Sequence, residues 1–333
     1  MLTHLEDLGL RIGDFALSPV PERERLCVQA ALRDFYGPDL RIERLVPPTT
    51  PVELRAALTA ASPTLAAMAE ALCHILETDY SGIAVRQAGL AHLELEERAQ
   101  VLFALAACMG RPTATDQVNR RVIWDVKVRQ QKAATTFSEH ADEADLHTDT
   151  QYFARPERYM MLYYIRPAAC GGGISLVRDL QCLKRSLSAT EEGRWAIDLL
   201  SRKALPFRIP GVFTANGGTD TVEVTFATIF AERPGIRFRA DTLMKGLALH
   251  PAADTPDVRR ALDLLLAEAR RPEALLQIAM PADSIHFVNN HMALHGRTAF
   301  ADHERHVWRI RVDDDVPLSA YGGADAPSVG RAA

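Results

Sequence analysis

Cysteine is scarce, and its placement has no pattern. Cys27, Cys73, Cys108, Cys170 and Cys182 are odd in number, far apart and never in a Cys-x-x-Cys pair. That spacing excludes a disulfide framework or a zinc ribbon and predicts reduced thiols in a packed interior. Long apolar runs are missing as well: no window nears the roughly 18 apolar residues of a spanning helix. The opening MLTHLEDLGLRIGDF has no basic segment leading into an apolar one, so the expectation is a cytoplasmic chain with no membrane partner. Nor is there a surplus of positive charge. Lys and Arg number 38 against 43 Asp and Glu, a net charge of −5, which removes the electrostatic reason to expect nucleic acid. A small-molecule substrate is the expected partner, with monomer and homodimer both open. No fixed-period repeat is present. Gly171-Gly172-Gly173 lacks the Gly-Lys-Ser/Thr ending of a phosphate cradle.

What is present is an ordinary globular composition, 47% hydrophobic and 24% charged over 333 residues, long enough to bury a core without a staple. Up to about residue 110 the chain reads as helices. One runs from Pro21 to Tyr36 and stops at Gly37; others span Pro51 to Ala61, Ser62 to Thr78 and Leu93 to Met109. Ser62-Pro63 supplies a cap followed by proline at the first helical position. Gly82 to Val85 reads as a strand between them. From residue 121 short strands dominate: Arg121 to Val128, Tyr159 to Arg166, Ile174 to Val177, Thr221 to Phe226, Leu275 to Ala279, Ser284 to Val288 and Val307 to Val312. Helices are predicted over Asp179 to Leu187, Thr190 to Lys203 and Thr255 to Arg270. The expected class is α+β with a mainly antiparallel β core, barrel or sandwich, and a helical N-terminal layer. A frayed tail is expected after Tyr321.

Eleven histidines are present, and five crowd into His286, His291, His295, His303 and His306. A lone histidine on a sheet is more often a hydrogen-bonded structural residue than a ligand, so clustering needs a second cue. His147-Thr148-Asp149 supplies it. On an extended strand, residues two apart face the same way, so His147 and Asp149 can aim at one point. With His295 they would make a two-histidine, one-carboxylate site with open positions, an arrangement suited to non-haem Fe(II). His291, four residues before His295, is a rival ligand only if that stretch is helical. His286 is expected on a core face, and His303 and His306 at the surface or behind the ligands. The acidic run Glu139, Asp142, Glu143 and Asp145 reads either as a solvated loop or as an attractor of a cationic substrate group.

The run from Asn289 to Phe300, with His291, His295-Gly296-Arg297-Thr298 and then Arg305 and Arg309, resembles the taurine dioxygenase and clavaminate synthase-like family of Fe(II)/2-oxoglutarate-dependent oxygenases. The resemblance covers roughly residues 80 to 312. It implies a double-stranded β-helix (jelly-roll, cupin-like) core in a single domain over 1–320. Within it, 1–115 would form the helical layer and 116–313 the core, with a helical insertion at about 179–270 and a flexible tail at 321–333. It implies His147, Asp149 and His295 as metal ligands, Arg305 holding the far carboxylate of 2-oxoglutarate, and Ser175 adding a hydroxyl where the family has threonine. Arg309 is implied as a second anion contact, to cosubstrate or substrate, and Arg297 as a further substrate-binding residue or a structural ion-pair partner.

The implied activity is hydroxylation of an unactivated C–H of a small amino-acid-like or carboxylate-bearing substrate, in secondary metabolism, with O2 and 2-oxoglutarate consumed and succinate released. Asp149 favours hydroxylation over halogenation because its carboxylate keeps the position a halide would need. Desaturation, cyclisation and C–N cleavage stay open within the family. Outside it, a non-catalytic metal-binding sensor and a 2-oxoglutarate-independent hydrolase or isomerase remain. A lid over Arg129 to Leu146 is expected beside the first ligand.

Overall fold

Two sheets face each other between two layers of helices in the computed structural model, which describes residues 10–16, 19–115, 119–129, 138–210, 222–314 and 330–331. The N-terminal helices are α1 (Glu22–Tyr36), α2 (Pro51–Ala61), α3 (Pro63–Thr78) and α4 (Leu95–Met109). Their ends follow local chemistry. Ser62 Oγ accepts the Leu65 N–H at 3.2 Å to open α3. Further on come α5 (Leu180–Ser188), α6 (Glu191–Arg202), α7 (Ala240–Leu249) and α8 (Pro256–Ala269).

The strands are β1 (Leu10–Ala16), β2 (Gly82–Gln87), β3 (Arg111–Pro112), β4 (Trp124–Val126), β5 (Ala144–His147), β6 (Tyr159–Arg166), β7 (Ser175–Asp179), β8 (Leu205–Arg208), β9 (Glu223–Ala227), β10 (Leu276–Ile278), β11 (Ser284–Asn289), β12 (Ala293–Arg297), β13 (His306–Asp313) and β14 (Gly330–Arg331). The large sheet runs β1-β2-β11-β6-β13-β3 with β4 beside β13, the smaller one β10-β7-β12-β5, and a third β14-β9-β8. Among the described strands only β1 and β2 pair in parallel.

Side-chain alternation assigns each strand's two faces. On β6, Tyr159, Met161 and Tyr163 pack outward against α1 to α4, while Met160 and Tyr164 point to the other sheet and join Ala84, Val288 and Val307 with Val177, Leu276, Ile278 and Ala293. On β12, Leu294 packs outward with Leu146, Leu176 and the helices α5 to α8. Ala293 faces inward, and by alternation so do His295 and Arg297. The inner space between the sheets therefore receives the odd residues of β12 and the even residues of β6.

Most predicted elements are present, with boundaries moved by a few residues. The strand predicted over Arg121 to Val128 shortens to β4, and α7, β1, β3, β5, β8, β12 and β14 were not among the predicted elements. The packed-interior expectation for cysteine is corrected: Cys27 and Cys170 are exposed and only Cys73, Cys108 and Cys182 are partly buried, all as free thiols. The predicted lid is corrected at its end, because 144–146 belong to β5; residues 130–137 lie outside the described residues, as does most of the predicted tail. Among the described residues no single helix is long and apolar enough to cross a membrane.

Candidate metal and anion site

β12 pairs with β5 so that His295 lies directly opposite His147. Their rings sit 4.5 Å apart between centroids. Asp149 follows two residues after His147, its Oδ1 3.7 Å from His147 Nε2. One ligand atom from each of His147, Asp149 and His295 lies within 4.8 Å of the others, and all three residues are buried. His147 Nδ1 meets the Asp145 carbonyl at 2.6 Å, which fixes the ring and directs Nε2 at the cluster. His295 Nδ1 and Asp149 Oδ2 have no hydrogen-bond partner, an arrangement that costs about 1–3 kcal/mol per group unless something answers it. Two imidazoles and a carboxylate suit a divalent first-row metal.

The electrostatics favour ligand-ready protonation states. Burial by itself raises the Asp149 carboxyl, but Arg309, whose Nη1 stands 3.3 Å from Asp149 Oδ2, together with His147, Arg311 and His295 holds it well below the usual carboxylate range. Burial, reinforced by His147, keeps the His295 imidazole neutral well below its ordinary value.

Beside this cluster lies a cavity of about 70 Å³ lined by His147, Tyr164, Ser175, His295, Arg305 and Arg309 among others. Arg305 is 3% exposed. Its guanidinium rests over the rings of Tyr164 and Phe300 at 5.6 and 5.2 Å, yet Nε and Nη1 find no acceptor. Ser175 Oγ is 2.5 Å from Tyr164 Oη. Gly173, at φ +69°, leaves room for Arg305: a Cβ there would come within 3.1 Å of its Nε. A buried cation with orphaned donors calls for an anion with matching acceptors.

Arg297 also lines this cavity, but it donates to the His140 and Thr298 carbonyls and lies over Phe300 at 4.5 Å. Burial, with Arg305 nearby, lowers it to about 10. His291 meets the Pro156 carbonyl at 3.0 Å and stands outside the cluster. His286 is buried without a partner on either ring nitrogen. His306 pairs with Asp125 at 2.6 Å, and His303 is exposed. In the acidic run, Glu139 pairs with Arg129 and Asp145 with Arg270.

Sequence reasoning passed over the groups that hold the Asp149 loop. Asn290 Oδ1 accepts the Asp149 N–H at 2.7 Å, and its Nδ2 donates to the Asp149 and Glu157 carbonyls. Thr150 has φ 51°, a strained value for a β-branched residue, and its hydroxyl donates to Glu157, whose other oxygen accepts from Thr113. Arg311 Nη1 stands 3.8 Å from Glu157. The signal was available: Arg309, Arg311 and Asp313 alternate along β13, so the strand sends charge inward where an apolar residue would be expected. Arg239 and Asp241, at the start of α7, form a pair at 2.6 Å. Thr148 N–H donates to the Phe238 carbonyl at 2.7 Å and brings that segment beside the histidine loop.

Facing sheets with a buried His, carboxylate, His cluster and an unanswered arginine define a metal-dependent enzyme of β architecture. The profile of the taurine catabolism dioxygenase TauD, TfdA family matches residues 66–311. The chain belongs to this family and is an oxidoreductase, a dioxygenase. No curated protein matches the chain in sequence. Among solved structures it is similar to an asparagine oxygenase in complex with Fe(II), 2S,3S-3-hydroxyasparagine and succinate, at 16% identity and a TM-score of 0.64, over 88% of this chain and 92% of that one. It is similar too to the non-heme iron oxygenase OrfP with Fe, succinate and (3S)-hydroxy-L-Arg, at 15% identity and 0.59, over 89% and 93%. OrfP in complex with Fe and alpha-ketoglutaric acid gives 15% and 0.59, over 92% and 96%.

Proposed function

We propose that this chain is an Fe(II)/2-oxoglutarate-dependent oxygenase that hydroxylates an unactivated C–H of a small amino-acid-like, carboxylate-bearing substrate. In this reading the facing sheets form a double-stranded β-helix within one domain over 1–320, in which α5 to α8 belong to an insertion at about 179–270. The observation that carries it is the convergence of His147, Asp149 and His295 beside the buried, unanswered Arg305. His147, Asp149 and His295 hold the iron, Arg305 with Ser175 binds the far carboxylate of 2-oxoglutarate, and Arg309, in contact with Asp149, orients anionic oxygens beside the metal. Arg297 borders the cavity on the substrate side. Iron with O2 and 2-oxoglutarate supplies the oxidising power, consuming 2-oxoglutarate to succinate and carbon dioxide. The chain's own contribution is placement. Burial excludes water, Asp149 stays ionised, His295 stays neutral, and the planar guanidinium of Arg305 matches a carboxylate as a point charge does not.

An amino acid as substrate is supported by the hydroxyasparagine and hydroxyarginine named with the similar enzymes. The Arg239–Asp241 pair adds one charge of each sign near the metal loop: burial raises the Asp241 carboxyl, but Arg239 and more weakly Lys245 and His147 bring it below its usual value. The test is succinate release with a panel of L-amino acids, paired with mass analysis of each amino acid. Substrate-stimulated succinate with a matching one-oxygen mass gain is expected. Arg305→Ala should raise the 2-oxoglutarate concentration required by roughly 10-fold to 100-fold, the worth of a charge-assisted contact, with Arg305→Lys in between. Turnover indifferent to 2-oxoglutarate would point to a different enzyme class.

A further inference from the structure

One buried polar side chain takes no part in the chemistry proposed above. His286 is 1% exposed, and neither of its ring nitrogens has a hydrogen-bond partner among the described residues. Burial lowers it from 6.5 to about 4, so at neutral pH the imidazole is uncharged, with one N–H donor and one bare acceptor nitrogen. In β11 it lies in register with Ala84 of β2 and Leu162 of β6. By alternation it shares with Val288 the face turned toward the small sheet, where Ala84 and Val288 cluster with Val177, Leu276 and Ala293. An apolar residue would suit that position at lower cost, so the imidazole there calls for a polar counterpart.

His295 is that counterpart. Residues 290–292 carry the chain from β11 across to β12, and Val288 and Ala293, on either side of the crossing, belong to one apolar cluster. Two residues further from the crossing along each strand stand His286 and His295. Facing sheets lie about 10 Å apart, a span that two inward imidazoles close with one water between them. In keeping with that proximity, a positive charge on His286 is felt at His295. The two histidines of the metal cluster are held unequally: His147 Nδ1 has the Asp145 carbonyl, while His295 Nδ1 is buried with no partner. We propose that His286 is a positioning residue for His295, joined to its Nδ1 through one bridging water. An imidazole that offers Nε2 to a metal carries its hydrogen on Nδ1 and needs an acceptor there. The water accepts that hydrogen and donates its own to the bare nitrogen of His286, fixing the ring and tautomer of His295. The inference deepens the proposed function and rests on its reading of His295 as a metal ligand.

His286→Leu tests it, because leucine suits the apolar surroundings and removes the orphaned groups; His286→Ala gives the same readouts should the leucine not fit. In the metal-free chain labelled with 15N-histidine, long-range 1H–15N correlations should show His295 as the Nδ1–H tautomer in the parent and as a mixture of tautomers in His286→Leu. Co(II) should bind the variant roughly 10-fold to 100-fold more weakly, as loss of an outer partner does elsewhere, with an altered visible spectrum. The metal-free melting temperature should equal or exceed the parent's, which a merely structural role for His286 would not allow. His286→Gln, which keeps an acceptor, should recover part of the affinity. Either an unchanged His295 tautomer or parental Co(II) affinity in His286→Leu overturns the proposal. A parent chain that takes up no Co(II) overturns the metal reading instead, and the tautomer of His295 then decides this inference alone.

Discussion

At the scale of single residues, the account turns on buried polar groups and on what answers each one. Asp149 is held by its backbone as much as by its charge: Asn290 grips both its N–H and its carbonyl, and Thr150 accepts an unfavourable φ to reach Glu157. Strain of this kind, of order 1–3 kcal/mol, persists where function demands a fixed geometry. Thr150→Gly should therefore leave the melting temperature of the metal-free chain unchanged or higher, because glycine adopts positive φ freely, while metal affinity falls roughly 10-fold to 100-fold, as loss of an outer partner does elsewhere. Titration with Co(II), followed by its visible spectrum, separates the two effects. A fall in melting temperature without a change in metal affinity would mean that the loop serves stability alone.

His291 gives a second residue-scale prediction. Burial, opposed by its contact with the Pro156 carbonyl, lowers it from 6.5 to about 4. Between those values the unfolded chain takes up a proton that the folded chain refuses, so stability is complete above about pH 6.5 and is lost as the pH falls toward 4. The loss attributable to this residue is roughly 3 kcal/mol at most. Urea midpoints measured from pH 7 down to 4.5 should decline, and His291→Gln should flatten that decline. An unchanged slope would contradict it.

Residue identities were largely readable. His147, Asp149, His295, Arg305, Ser175 and Arg309 were all singled out by spacing or resemblance, and they line one buried region. What escaped notice were Asn290, Glu157 and Thr150, whose importance comes from where loops meet, and no local pattern encodes that.

At the scale of elements, register carries the site. A one-residue slip of β12 against β5 would turn His295 outward into the helical layer and Leu294 inward. Gly296 secures the close pairing: a Cβ there would lie 2.6 Å from the Ala144 carbonyl. Gly296→Ala should force the strands apart at a cost of about 1–3 kcal/mol, and metal affinity should drop by more than that loss of stability alone explains. Thermal melts with and without Co(II) check this; an alanine variant with parental metal affinity would show that β12 and β5 tolerate separation.

Helix positions were the most legible part of the sequence, because caps act locally: Ser62 and Thr190 open α3 and α6 as their side chains predict. Strands were found where β-branched and aromatic residues run, as in β6. They were missed where the strand is short or polar, as in β5, or where a helix such as α7 follows a loop without a capping side chain. The lid expectation failed at 144–146 for a related reason: an acidic, polar run looked like loop, yet pairing with β12 made it strand.

At the scale of the whole molecule, the layers decide what the chemistry can be. Helices α1 to α4 seal the outer face of the large sheet and α5 to α8 that of the small one, so the inward residues meet in a space largely cut off from water. The same layering explains why a chain of unremarkable composition can keep Arg305 and Arg311 buried with Arg309 half-buried beside them. Each buried cation is tolerable only with an acidic partner, an aromatic face or a bound anion, and among the described residues Arg305 has the rings of Tyr164 and Phe300 and the Tyr164 hydroxyl but no carboxylate. Composition was silent on this inner polarity, since alternation along β13 hides charge among apolar neighbours.

The central claim is that three side chains from separate stretches hold one ferrous ion. Anaerobic titration of the metal-free chain with Fe(II) should reach one equivalent bound, and His147→Ala, Asp149→Ala and His295→Ala should each abolish or severely weaken that binding while the chain stays folded by circular dichroism. Parental Fe(II) affinity in any one of these three variants would contradict it.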